Sequence, residues 1–100
     1  MIASVRENNG TTYMRIMPPC HSFAIELPVI TSGSRQKTNS WTWNGDLESP
    51  TLKPSIRTIH ETGQITHLWL TDGVCHYLDD SEKYSGECLP LSVLKNIEGW

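Results

Sequence analysis

A mainly β fold, built as a small single antiparallel domain (a sandwich or a partly open barrel), is what this sequence predicts, and three observations carry the prediction. Short runs alternate apolar and polar residues with period two and are rich in Thr, Val, Ile, Tyr and Trp. Asn9-Gly10, Asn44-Gly45 and Asp72-Gly73, pairs that supply the positive φ angles of a tight reversal, punctuate those runs. A chain of 100 residues with 37% hydrophobic content matches one compact core, so residues 1–100 are expected to form one domain.

Taken in order, Ile2–Arg6 and Thr11–Met17 flank Asn8-Asn9-Gly10 and make a candidate hairpin that Pro18-Pro19 ends. His21–Ile30 alternates again, with Phe23, Ile25 and Leu27 on one face, and predicts a third strand. The tract 31–40 is polar and aperiodic, which predicts a flexible loop. Ile56–His60 and Ile65–Leu70 are strand-like around a turn at Glu61–Gln64, and Val74–Leu78 returns after Asp72-Gly73. Asp79–Gly86 reads as an acidic loop. Between Leu89 and Ile97, the spacing of Val93, Leu94 and Ile97 predicts a short C-terminal helix, with Ser92 or Pro90 at its start. Trp43, Leu47, Ile56, Ile65, Trp69, Val74 and Leu78 are expected in the core or at its rim.

Several function classes fall away on composition. Net charge is −3 and no basic block or aromatic–basic ladder appears, which argues against nucleic acid as the partner. No run approaches the about 18 apolar residues of a membrane span, and Met1–Arg6 lacks the pattern of a signal peptide, so a cytoplasmic location is expected. Nothing in the sequence calls for a cofactor. The three cysteines are expected as reduced thiols. Cys20-His21 and Cys75-His76 form an alternative metal set, although neither a C-x₂₋₄-C nor an H-x₃₋₅-H knuckle is present and adjacent strand residues point to opposite faces.

The densest signal is Trp41–Ser55, in which two tryptophans, an Asn-Gly-Asp turn and two prolines constrain fifteen residues. Asn44, Asp46 and Thr51 support this platform, which delivers Ser55 on a fixed backbone. A serine hydroxyl becomes a nucleophile when an imidazole takes its proton. Pairing a strand that begins at Ser55 with Ile65–Leu70 sets residues whose numbers sum to roughly 120 to 127 opposite one another, and this brings Ser55 near His67. His60 lies near a turn and is expected to be exposed. Asp46 and Asp80 are the candidates for a third, orienting group. A second reading makes the chain a binding module that recognises another protein through Trp41, Trp43 and the 31–40 loop.

The string Trp41-x-Trp-Asn-Gly-Asp-Leu-Glu-x-Pro-Thr-x-x-Pro-Ser-Ile56, then His67-Leu-Trp-Leu-Thr-Asp-Gly73, then Tyr77-Leu-Asp-Asp80 and Gly86, resembles a family of small phage and bacterial proteins. That family includes the serine protease BubE of bacterial ubiquitination-like operons. Where the family has Cys-His-Ser-Phe, this chain has Thr66-His67-Leu68-Trp69, and the histidine stands. Leu27-Pro28-Val29 also matches, whereas the Cys-x-x-Cys-Gly element of many relatives is replaced by Pro18-Pro19-Cys20-His21. The resemblance implies a serine protease with a Ser-His dyad at Ser55 and His67 and a protein or peptide substrate such as a ubiquitin-like protein.

Overall fold

The computed structural model describes residues 2–19, 24–31 and 40–94. Within them lie eight strands: β1 (Ala3–Asn8), β2 (Thr11–Ile16), β3 (Ile25–Thr31), β4 (Trp41–Trp43), β5 (Leu52–Ile59), β6 (Ile65–Thr71), β7 (Val74–Tyr77) and β8 (Cys88–Pro90). They form one sheet in sequence order, curled into a half-barrel. The reason lies in the connections. β1 and β2 pair from Asn8↔Thr11 around Asn9 (φ 52) and Gly10 (φ 79), and β6 and β7 from Thr71↔Val74 around Asp72 (φ 50) and Gly73 (φ 76). Both are two-residue turns with positive φ at each central position, whose twist matches that of the flanking strands.

The concave face holds the core. Met14, Ile16, Leu52, Leu68, Leu70 and Cys75 are at most 1% exposed, and Leu27, Val29, Trp43, Ile56, Tyr77 and Leu91 join them. Burying each Leu or Ile side chain contributes about 1.5–3 kcal/mol, so this shared apolar face is the main favourable term drawing the strands together.

Four expectations are corrected. The sheet is not wholly antiparallel, because β3 and β4 run parallel, with Val29↔Trp41 in register. The C-terminal helix is absent among the described residues. Cys88–Pro90 is instead an edge strand on β7, and the N–H groups of Leu91 and Ser92 donate to the carbonyls of Gly73 and Met17, which draws the chain across the sheet rather than into a helical turn. Trp69 and Leu47 lie outside the core, at 39% and 38% exposed, since on β6 the alternation turns Thr66, Leu68 and Leu70 inward. His60 is half-buried rather than exposed, with Nε2 3.3 Å from the Thr66 hydroxyl. The start of the expected third strand (21–23), the interior of the 31–40 loop and the last turn of the expected helix lie outside the described residues.

Candidate active site

The Trp41–Ser55 segment is held by its own polar groups. Asn44 accepts hydrogen bonds from the N–H groups of Asp46 and Thr51 and donates through Nδ2 to the Ser49 carbonyl. Asp46 Oδ1 accepts from the N–H groups of Glu48 and Ser49, and the Trp43 indole donates to the Asp46 carbonyl. Thr51 Oγ1 accepts from the Asp72 N–H at 2.9 Å, while the Gly73 N–H donates to the Pro50 carbonyl. These bonds fasten the loop to the β6–β7 turn. A side chain at Gly73 would meet Ile2 Cδ1 at 3.4 Å and the Glu48 carbonyl at 3.5 Å, so glycine serves both the turn and the approach. Asn44, Asp46 and Thr51 are therefore committed to the platform, and among the described residues none of them hydrogen-bonds an imidazole.

β5 leaves this loop through an irregularity. Leu52 pairs with Leu70 and Ile56 with Leu68, so Lys53, Pro54 and Ser55 together face a single residue of β6, Trp69. Proline has no N–H for a ladder and is accommodated at bulges, and bulges re-aim the side chains they carry. Beyond the bulge Arg57 pairs with His67, a register whose numbers sum to 124, within the range expected from the sequence. Ser55 then sits two residues from Arg57 on the outward face, diagonal to His67. The Trp41 indole N–H donates to the Ser55 carbonyl at 3.3 Å and steadies it from the β4 side.

Ser55 Oγ lies 2.8 Å from His67 Nε2, and His67 Nδ1 lies 2.9 Å from both carboxylate oxygens of Asp80. The chain after β7 makes this possible by running back alongside β6. The Leu78 N–H donates to the His67 carbonyl, the His67 N–H to Ser81 Oγ, and the Glu82 N–H to the Ile65 carbonyl. Ser81 is 4% exposed and its hydroxyl donates a hydrogen bond to the Lys83 carbonyl, so the turn bearing Asp80 is anchored on the main chain of the histidine it faces. An ionised carboxylate only accepts hydrogen bonds, so Asp80 fixes the proton of a neutral imidazole on Nδ1 and leaves the Nε2 lone pair for the Ser55 hydroxyl. The side chain of His67 is 20% exposed and that of Asp80 61%, so the hydroxyl end of this row is sheltered and the carboxylate end is wet.

The sequence brought forward Ser55, His67 and Asp80, and these three meet. Ser81 and the Trp41 contact were not foreseen, since a serine in an acidic loop and an indole N–H leave no sequence pattern. Of the alternative metal set, Cys20 and His21 lie outside the described residues. Cys75 faces the core, and His76 turns the other way to meet Cys88 Sγ at 3.1 Å. Among the described residues no group of three or more His, Cys, Asp or Glu side chains is arranged to hold a metal ion.

A β scaffold that lines up a hydroxyl, an imidazole and a carboxylate in hydrogen-bond contact has the side-chain geometry common to serine hydrolases of unrelated folds. Comparison with known families narrows this class: residues 2–78 match the family described as bacterial ubiquitination-like system serine protease (BubE). The chain belongs to that family. The matched region contains Ser55 and His67 and stops just short of Asp80. No curated protein and no solved structure matches the chain.

Proposed function

We propose that this protein is a serine peptidase in which Ser55 is the nucleophile, His67 the general base and acid, and Asp80 the group that orients His67. The observation that carries the reading is the 2.8 Å contact between Ser55 Oγ and His67 Nε2, with Nδ1 engaged by Asp80. In the acylation step Oγ forms a bond to the scissile carbonyl carbon and its proton passes to Nε2. The imidazolium, stabilised by the Asp80 carboxylate, then gives that proton to the departing amine as the C–N bond breaks. Water, deprotonated by the same Nε2, releases the acyl group and returns the proton to Ser55. No metal or cofactor enters these steps.

The family description supports a protein substrate, and we extend it to a ubiquitin-like protein cleaved at an amide or isopeptide bond, in the cytoplasm. A fluorophosphonate probe tests the chemistry directly. Ser55 is expected to be labelled, with labelling lost in Ser55→Ala and His67→Ala while both variants remain folded, and retained in His60→Ala. Labelling that survives in His67→Ala would reject His67 as the base. Cleavage of ubiquitin-like fusions tests the substrate.

A further inference from the structure

We infer that Trp69 is a substrate-contacting residue, the apolar wall against which the polypeptide substrate lays the side chain next to the scissile bond. The inference rests on the peptidase reading and adds to it a specificity-determining residue. Trp69 is the one β6 residue that faces the three-residue bulge carrying Ser55, and it stands two positions from His67 on the same outward face. Its β6 neighbours Leu68 and Leu70 are 1% and 0% exposed, whereas Trp69 is 39% exposed. On the other side it pairs with His76 of β7. No hydrogen bond or ring contact engages its indole among the described residues, in contrast to Trp41 and Trp43, whose N–H groups donate to main-chain carbonyls.

A large aromatic left half open in the row of the reacting hydroxyl provides apolar area beside the bond to be cut. Covering it expels water from the side of Ser55, and an indole does this with little loss of side-chain freedom. The side chain it suits is apolar or flat, since it brings no charge for an anionic or cationic one. Exposure alone does not give such a role. Ile59 is 63% exposed on the same face, but four residues along β5 it stands about 13 Å from Ser55, beyond the residues that flank the scissile bond.

The experiment compares parent, Trp69→Ala, Trp69→Phe and Ile59→Ala on two readouts: Ser55 labelling by a small fluorophosphonate, and KM and kcat on fluorogenic peptides that vary the residue before the cut. Trp69→Ala is expected to label at close to the parent rate while KM rises about tenfold or more and the preference for apolar residues flattens. Trp69→Phe should stay within about threefold of the parent, because the ring keeps most of the contact. Ile59→Ala should match the parent on both readouts. If the parent itself does not label, the peptidase reading fails and this inference with it. If parent and Trp69→Ala label alike and also share KM and preference, or if Ile59→Ala shifts KM as much as Trp69→Ala, the role of Trp69 is overturned and the peptidase reading stands.

Discussion

Replacing Asp80 by alanine should slow the enzyme by about tenfold, far less than removal of a buried orienting aspartate. The magnitude follows from the site. A hydrogen bond from an imidazole N–H to a carboxylate is charge-assisted and contributes about 1.5–3 kcal/mol. Asp80 is 61% exposed, so water competes for its oxygens and salt screens its charge, which places it at the low end, about 1.5 kcal/mol. At 1.36 kcal/mol per decade that is about a tenfold loss in kcat/KM. A buried aspartate changed to asparagine in a serine protease costs about 10⁴-fold. The asparagine variant should be slower than the alanine one here as well, because its amide can donate to Nδ1 and hold the proton on Nε2, where it blocks the hydroxyl. Labelling rate constants for parent, Asp80→Ala and Asp80→Asn, measured at low and high ionic strength, check this, with the parent's advantage shrinking in salt. An Asp80→Ala rate equal to the parent's, or as low as that of Ser55→Ala, would refute the reasoning.

Further outcomes can be measured with the same protein. Ser55→Ala and His67→Ala should be non-additive in kcat/KM, the double variant resembling either single one, because the base and nucleophile proposed here would act as a unit. Leu70→Ala, which empties a fully buried position, should cost about 2–5 kcal/mol in urea unfolding. Asn44→Ala removes two acceptor contacts and one donor from an exposed loop, so it should cost about 1–2 kcal/mol and slow Ser55 labelling more than it lowers stability.

The Asn-Gly and Asp-Gly turns made two hairpins legible, because the turn chemistry is local. The meeting of Ser55 and His67 was legible for a related reason: once two strands share a short turn, counting residues gives their neighbours. Side-chain character misled where alternation left two faces to choose from. On β6 one face offered Ile65, His67 and Trp69 and the other Thr66, Leu68 and Leu70, and the tryptophan drew the core to the wrong side. The inward face carries the buried threonine instead. The parallel pairing of β3 with β4 depends on where a long connection returns, which no local pattern encodes. Cys88–Pro90 is too short to show a period, and its neighbours Val93 and Leu94 imitated a helix. The bulge at Lys53–Ser55 was announced by Pro54 only as constraint, not as a change of register.

Strand order equals sequence order in this sheet, so Ser55, His67 and Asp80 come from one uninterrupted stretch of chain: two adjoining hairpins and the turn that follows them. The three members of the row thus come together through contacts between near neighbours in sequence, which form fast and carry a small loop-closure cost. β1–β3 contribute no member of the row and act as the apolar backing that keeps its support curled. Their sequence is free to drift within the demands of packing, whereas one residue inserted inside the paired stretches Ile56–Ile59 or Ile65–His67 would shift the register, turn the side chains beyond it to the opposite face and separate hydroxyl from imidazole. Insertions and deletions within its paired strands are what such a cassette cannot absorb.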